Sequence, residues 1–305
     1  MRQKTSVFHI TVLLAAAVVC GFGTGIAEAA DKTVRLAYVE WSETIASTNM
    51  VQAVLQEKMG YTCEIIPMSA DRMWYAVADG KVDAMVAAWL PSTHGHYYEA
   101  VKDRVKHLGP NLTGTRIGLV VPNITVGRQT AASAQRNKPY ITVDAIPELK
   151  DHIRKFNGKI IGIDPEAGIM KRTREAMKAY GLNRFRLVEG SEVSMTAELS
   201  NAIRKQRWIV VTGWVPHWMF ARWNLKFLED PQGIYGGEER IDTIVRKGLK
   251  EDMPEVYAML DNFSWDAEDL GQLMIWIQED KGMFPYDKCL RFMRYHEDKI
   301  ASWVP

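Results

Sequence analysis

Three tryptophans end or follow short apolar runs that predict β-strands. Trp41 closes "TVRLAYVEW", Trp89 closes "AMVAAW", and Trp214 comes directly after "WIVVTG". Open α/β sheets bind their ligands beyond the carboxyl ends of the strands. We therefore expect the three indole rings to converge on one cleft.

Several indole rings around one point would attract a cation. The face of an indole ring is electron-rich, so it binds a positive charge without a hydrogen bond. Quaternary ammonium groups suit such a cage because their methyl groups leave no N–H to donate. Each contact would contribute about 1–2 kcal/mol once water is excluded. Core packing is the competing interpretation for any one tryptophan, but three in polar turns favour a cage.

The turn in "IGIDPEAGIM" could bind the opposite end of such a ligand. The backbone N–H groups of Gly168 and Ile169 would begin a helix there, and a helix N-terminus attracts an anion. The same pattern also describes a plain strand–turn–helix connection. His94, five residues after Trp89, could donate a hydrogen bond to a carboxylate, or it could simply be solvated. Together these features predict a receptor for a zwitterion.

The elements that would position these residues alternate short β-rich runs with helix-patterned segments, which predicts an α/β fold. One helix is expected from Ala46 to Gly60 and another in "AIPELKDHIRKF". The stretch "GPNLTGT" is interpreted as a loop before a strand at residues 116–123. Sequence beyond "LKFLED" is expected to be a Gly-rich loop followed mainly by helices.

The first and last thirds of the chain are expected to form one lobe that the middle third interrupts. Lobe I would comprise residues 30–116 and 221–305, and lobe II residues 117–220. The chain would then cross between the lobes twice, near residues 116 and 220. Two crossover segments give a hinged cleft of the kind found in periplasmic binding proteins.

The N-terminus resembles a secretory signal peptide. Arg2 and Lys4 precede an apolar stretch, and small residues ending in "IAEA" predict cleavage after Ala29. The apolar stretch is shorter than the roughly 20 residues of a membrane span. Val18 and Val19 before Cys20 argue against a lipid anchor. We expect residues 1–29 to be removed and the protein to be exported to the periplasm.

Charge and cysteine content restrict the partners of the mature chain. Cleavage would remove two basic residues and one acidic residue, leaving 36 of each among 276 residues. A net charge near zero gives no electrostatic reason to bind nucleic acid or an anionic membrane. Cys63 and Cys289 would remain, and they could form a disulfide or stay as two buried thiols.

Four separated stretches resemble the glycine betaine-binding subunits of ABC transporters, the OpuA/ProX-type family. These stretches are "YVEWSETIAST", "VDAMVAAWLPSTH", "IGIDPEAGIM" and "VVTGWVPHWMF", and they occur in the order typical of that family. The resemblance covers essentially the whole mature chain. It implies a type II periplasmic binding protein fold, with the ligand between two lobes.

The resemblance also implies roles for particular residues. Trp41, Trp89 and Trp214 match the tryptophan box that holds the trimethylammonium group. Gly168, Ile169 and His94 match the contacts to the carboxylate, while His217 and Trp218 are expected mainly to pack. The implied partners are a quaternary ammonium ligand and an ABC permease with its ATPase, for osmoprotectant uptake by a monomer. Neither cofactor nor metal is implied.

Other functions remain to be weighed. Choline, carnitine or proline betaine could replace glycine betaine, and a chemosensory or storage protein could share the fold. An enzyme is disfavoured because the chain lacks the GxxxxGK[ST], GxSxG and HExxH motifs, so no catalytic residue is predicted. His94 and His96 could hold a metal if they lay on a strand, but no third ligand is evident.

Overall fold

The computed structural model describes residues 33–125 and 139–305, within one compact unit, Thr33–Pro305. The predicted signal peptide, residues 1–29, lies outside the described residues. Strands and helices alternate through the first two thirds of the unit, and helices dominate the last third. This order confirms the predicted α/β class.

The described residues form one sheet of nine strands. The strands are β1 Thr33–Tyr38, β2 Thr62–Pro67, β3 Ala84–Leu90, β4 Val105–Pro122, β5 Lys159–Ile161, β6 Arg186–Val188, β7 Val211–Val215, β8 Leu225–Phe227 and β9 Glu239–Arg246. Their order across the sheet is β2-β1-β3-β9-β4-β7-β5-β6, with β8 beside β4. The parallel pairs β1–β2 and β1–β3 bring the ends of β1, β2 and β3 together, and the parallel pairs β5–β6 and β5–β7 do the same for β5, β6 and β7.

Helices cover the sheet and form the C-terminal part of the chain. They are α1 Ser42–Glu57, α2 Ala70–Ala78, α3 Gly95–Val101, α4 Gly168–Ala179, α5 Glu192–Arg204, α6 Met219–Arg222, α7 Leu249–Asp252, α8 Pro254–Asn262, α9 Ala267–Glu279, α10 Pro285–Tyr295 and α11 Glu297–Trp303. The predicted helix in "AIPELKDHIRKF" is a 3₁₀ helix, Ile146–His152, with a proline in its first turn.

Strand β4 joins two sections of the sheet. Its first part, up to Thr115, pairs with β9, and its last part, from Arg116 to Val120, pairs with β7. We call β2-β1-β3-β9 the first section and β7-β5-β6 the second section. The change of partner falls between Thr115 and Arg116. The lobe boundaries, residues 30–116, 117–220 and 221–305, stay a prediction.

One expectation about this region was wrong, and one strand was not predicted. The stretch "GPNLTGT" belongs to β4 rather than to a loop, because β4 follows β9 through three register shifts. Gly109 and Gly114 have φ values of 108° and 75°, which let the strand kink without ending. The C-terminal third also contributes β9, whose all-but-continuous burial places it in the centre of the sheet.

Helix α1 lies against the first section and under α9 and α10. It begins at Ser42, four residues before the predicted start at Ala46. The reason is a long-range cap: the backbone N–H of Ser42 donates to Oε2 of Glu192, 150 residues away, at 2.8 Å. A side chain so distant in sequence cannot be recognised as a cap from local pattern.

An aromatic cluster holds the C-terminal helices on the first section. Phe263, Trp265, Phe292 and Trp303 pack edge-to-face, with ring centroids 4.9–5.8 Å apart. Such pairs add to the free energy of burying the rings. Cys63 and Cys289 are both buried free thiols, which resolves the alternative left open by the sequence.

Candidate functional site

The cavity between the two sheet sections contains all six residues predicted to bind ligand. It spans about 270 Å³, and every residue lining it is buried. The lining residues are Trp41, Glu43, Trp89, Thr93, His94, Ile117, Ile163, Ala167, Gly168, Ile169 and Trp214. A cavity of this size could take only a small molecule.

The three tryptophans reach the cavity from three different elements. Trp41 precedes α1 in extended conformation, Trp89 is the penultimate residue of β3, and Trp214 lies in β7. Trp89 and Trp214 are each followed, one residue later, by a cis X–Pro bond, at Leu90–Pro91 and Val215–Pro216. Trp41 and Trp89 thus come from the first section and Trp214 from the second.

Two of the indole rings are anchored by carboxylates across the cavity. Nε1 of Trp41 donates to Oδ2 of Asp164 at 3.0 Å. Nε1 of Trp214 donates to Oε2 of Glu43 at 2.9 Å. Each bond joins the first section or α1 to the second section. Both hydrogen bonds therefore require the two sections to be together.

His94 presents a buried donor to the cavity. Its Nδ1 accepts the backbone N–H of Trp89 at 3.1 Å, so the proton of the neutral ring is on Nε2. Burial, and secondarily His96, lowers the pKa of His94 to about 3, so the ring is neutral at physiological pH. Nε2 is buried without a partner among the described residues. An unpaired buried N–H is costly, and a ligand acceptor would remove that penalty.

The turn before α4 supplies further donors. Helix α4 begins at Gly168, and no side chain caps it. The first N–H groups of an α-helix, here those of Gly168 and Ile169, have no acceptor within the helix. A 12-residue helix also places the positive end of its dipole at this point. Both residues line the same cavity as His94.

Gly168 also allows the two sections to meet. A Cβ atom on Gly168 would overlap the backbone carbonyl of Thr93, which belongs to the loop after β3. Glu239, at the start of β9, fixes this loop by accepting from the backbone N–H of Thr93 at 2.7 Å and that of Ser92 at 3.0 Å. Only glycine is small enough for this approach.

Sequence analysis missed Glu43, which lines the cavity two residues after Trp41. It lies in the first turn of α1 and is 1% exposed. Burial, and then the charge of Glu192, raises the pKa of Glu43 to about 7. The motif "YVEWSETIAST" contained this residue, but the sequence pattern assigned it to a loop rather than to a helix start at the cavity.

Glu192 is a second carboxylate that the sequence did not reveal as functional. It accepts hydrogen bonds from the backbone and hydroxyl of Ser42 and from Nε1 of Trp218 at 3.3 Å. Nε2 of His217 lies 3.1 Å from Oε1 of Glu192, within the distance of an ion pair. Burial opposes ionisation, but His217 and Ser42 outweigh it and lower the pKa of Glu192.

His217 and Trp218 thus hold Trp214 and α1 in place. The ring of His217 stands edge-on to Trp214 with 4.7 Å between centroids, and Nδ1 of His217 accepts the backbone N–H of Met219 at 3.0 Å. Nε1 of Trp218 donates to Oγ of Ser42 at 2.9 Å. Neither side chain lines the cavity.

Two hydrogen bonds outside the cavity also join the sections. The hydroxyl of Tyr97 donates to the carbonyl of Glu166 at 2.8 Å, and Arg172 donates to the carbonyl of Ser92 at 3.1 Å. Arg172 also pairs with Glu175 at 3.0 Å. With the contacts of Glu192, they hold the structure in a closed arrangement.

Within residues 33–125 and 139–305, no three metal-capable side chains cluster. The suggestion that His94 and His96 lie together on a strand was wrong, because His94 precedes α3 and His96 lies within it. Successive helical positions point in different directions. The pair therefore does not form the start of a metal site.

The fold and the cavity between the sheet sections define a two-lobed substrate-binding protein of type II. The structure of this chain aligns with lactococcal OpuAC in its closed, glycine betaine-bound form, with a TM-score of 0.80 and 36% sequence identity. The alignment covers 90% of this chain and 100% of lactococcal OpuAC. ProX from Borrelia burgdorferi aligns with a TM-score of 0.81, also at 36% identity, covering 90% and 97%.

The chain belongs to the family described as the substrate-binding domain of the ABC-type glycine betaine transport system, which matches residues 32–293. This match confirms the resemblance seen in the sequence. A curated relative, the glycine betaine/carnitine transport binding protein GbuC of Listeria monocytogenes, is 46% identical over 157 residues. That alignment covers 51% of this chain and about half of the relative, 52%.

Proposed function

We propose that the protein captures glycine betaine or a related quaternary ammonium compound outside the cytoplasm and delivers it to an ABC importer. Trp41, Trp89 and Trp214 would surround the methylated ammonium group. Gly168, Ile169 and His94 would bind the carboxylate. Family membership supports the transport role, and the cavity supports the ligand class.

One observation carries this proposal. The same small cavity is lined by indole rings from both sheet sections and by a buried N–H of His94 that has no partner among the described residues. A cage alone would suit any quaternary ammonium ion, and donors alone would suit any carboxylate. Their combination fits a short zwitterion with a methylated ammonium group.

The mechanism follows from the two-sided contacts. The ligand would first contact Trp41 and Trp89. Trp214 and the Gly168 turn would contact it only after closure. Because the ligand makes more contacts in the closed form, it shifts the equilibrium towards that form. The closed form would then be recognised by a permease that works with an ATPase. Binding and closure of this kind require neither catalytic residues nor a cofactor or metal.

The proposed location is the periplasm, with the mature protein acting as a monomer. The predicted signal peptide and the extracytoplasmic role of the family support export. In the part of the chain that the structure describes, no helix is long and apolar enough to cross a membrane.

Thermal unfolding in the presence of candidate ligands tests the proposal. A ligand that binds only the folded state raises the unfolding temperature. At a concentration 100 times Kd, it increases the free energy of unfolding by about 2.7 kcal/mol. We expect stabilisation by glycine betaine, and graded effects of choline, carnitine and proline betaine. Stabilisation by amino acids or divalent metals alone, with none by quaternary ammonium compounds, would contradict it.

A further inference from the structure

Glu43 places a carboxyl group directly at the cavity, beside the predicted cage. Its Oε2 accepts from Nε1 of Trp214 at 2.9 Å, and its Oε1 accepts from the hydroxyl of Thr44 at 3.2 Å. The residue is almost wholly buried and has no cationic side chain as hydrogen-bond partner among the described contacts. A buried carboxylate without such a partner favours an added positive charge.

The other ionisable groups near Glu43 and the cavity come from four different parts of the fold. Glu192, on α5, carries a charge that repels an ionised Glu43, and His217, after β7, acts in the opposite direction. His94, which follows β3, stays neutral because burial lowers its pKa to about 3. Asp164, after β5, accepts the N–H of Trp41. A cation in the cavity would be the missing counter-charge.

The charge of Glu43 responds to pH in the neutral range. Its pKa is raised to about 7, first by burial and then by Glu192. A cationic ligand favours the ionised carboxylate, so it lowers the pKa of Glu43 in the complex. The carboxylate of a zwitterionic ligand opposes this effect. Glu43 therefore ionises at lower pH with a cation bound than with a zwitterion bound.

We propose that Glu43 is a specificity-determining residue of the cavity, which favours net-cationic ligands such as choline over zwitterions such as glycine betaine increasingly as the pH rises. The proposal rests on the proposed function, from which it takes the class of ligand. Glu43 lies outside the predicted cage, yet it would discriminate between ligands that carry the same ammonium group.

The ratio of the two affinities isolates this effect. Both ligands start from the same free protein, so the pH dependence of the ratio of their Kd values depends only on the two complexes. The charges of choline and glycine betaine themselves do not change near neutral pH. Repulsion between two carboxylates in a partly screened interior separates the two Glu43 pKa values by about one unit, which is about tenfold in the ratio.

The test is calorimetric titration of the full-length mature protein with choline chloride and with glycine betaine. The measurements run from about pH 5.5 to about pH 8.5, where a carboxyl group with a pKa near 7 changes charge. We expect the affinity for choline relative to glycine betaine to rise about tenfold in the wild type. In Glu43→Gln, which keeps an acceptor for Trp214 but cannot ionise, the ratio should stay within about twofold.

Control variants separate Glu43 from its neighbours. His217→Gln should retain a slope that is moved to higher pH, because His217 lowers the pKa of Glu43 and the titrating group is still the carboxyl of Glu43. Glu43→Asp should also retain a slope, and Glu43→Met, of similar size to glutamate, repeats the test if Glu43→Gln does not fold. Unfolding temperatures without ligand establish that each variant is folded.

Each remaining outcome counts against one hypothesis. A wild-type ratio that is flat with pH, or choline that never binds while glycine betaine does, overturns the role of Glu43 but leaves the proposed function intact. A slope that persists in Glu43→Gln also overturns that role. If neither ligand binds at any pH, the proposed function itself fails.

Discussion

Trp41 and Trp214 donate their indole N–H groups to Asp164 and Glu43. The N–H bond lies in the plane of the ring, so these hydrogen bonds fix the orientation of each ring without themselves occupying a π face. A fixed ring loses little conformational entropy when a ligand binds, which favours affinity. The carboxylates thus complement the proposed cage without occupying it.

Replacing Trp214 with alanine should weaken binding of glycine betaine at least tenfold, about 1.4 kcal/mol. The variant removes the indole contributed by the second section and leaves Glu43 without its donor. Calorimetry measures the change. Trp276→Ala serves as the control, since Trp276 is a half-buried tryptophan on α9 that does not line the cavity. Equal affinities in the two variants would argue against the cage.

Two replacements of His94 should differ in their effect on carboxylated ligands. In His94→Asn the amide can replace Nδ1, which accepts from Trp89, but nothing replaces the Nε2 donor. In His94→Gln the amide nitrogen can reach the position of Nε2. We expect His94→Asn to bind glycine betaine at least about tenfold more weakly than His94→Gln, and choline nearly equally. Equal losses for both ligands would contradict the role of His94 as carboxylate donor.

The sequence predicted six cavity residues because each belongs to a strand end or a helix start, where chain topology alone indicates the location. It did not predict Glu43 and Glu192, because their importance depends on contacts between residues 150 and 171 positions apart. A glutamate in the first turn of a helix is ordinarily a solvated residue that complements the helix dipole. Only the packed structure shows that these two are buried.

Helix α4 matters to the cavity in two ways: its first N–H groups face the cavity as donors, and its first residue packs closely against the loop after β3. Gly168→Ala should weaken ligand binding at least about tenfold, because the added methyl group overlaps Thr93 only when the two sections meet. Binding should fall while the unfolding temperature of the ligand-free, open protein changes little. Calorimetry and thermal unfolding measure the two effects.

Gly271→Ala is the matched control for this substitution. Gly271 lies within α9, and a Cβ atom there would meet nothing within 4 Å. Alanine is favoured over glycine in a helix by about 0.5–1 kcal/mol. We therefore expect slightly higher stability and unchanged ligand affinity. A loss of affinity in this variant as large as that in Gly168→Ala would remove the case for a local clash.

Strands and helices differed in how well the sequence predicted them. β1, β3 and α4 were predicted within a few residues, because apolar runs and turn residues mark their ends. β9 was missed, since charged residues occupy half of its sequence "ERIDTIVR" although the strand is largely buried. Its Asp242 and Glu239 are buried through partners on other elements, such as His107 and Thr93. Local pattern cannot supply those partners.

Closure of the whole molecule should depend on pH through Glu43. In an open arrangement its carboxyl group would be solvated, with an ordinary pKa near about 4.3, whereas in the closed arrangement the pKa is about 7. Protonation therefore favours closure, and the ligand-free closed fraction should rise as the pH falls from 7 towards 5. Glu192 does not change this trend, because its pKa is lowered and the residue therefore titrates below the range from pH 7 to pH 5.

Small-angle X-ray scattering of the ligand-free protein measures this equilibrium. The radius of gyration should be smaller at about pH 5.5 than at about pH 8, because closure brings the lobes together. Glu43→Gln, which is permanently uncharged, should give the compact value at both pH values. A wild-type radius that grows as the pH falls would show that another group controls closure.

The cavity is lined throughout by buried residues, so its occupant cannot escape while the sections remain joined. Departure must wait for the separation of contacts such as Tyr97 with Glu166 and Arg172 with Ser92, which never touch the occupant. These peripheral contacts would then set the dissociation rate of the complex, whereas the contacts of the cage would mainly set its equilibrium affinity. A transporter that broke these peripheral contacts could release the ligand quickly even from a receptor of high affinity.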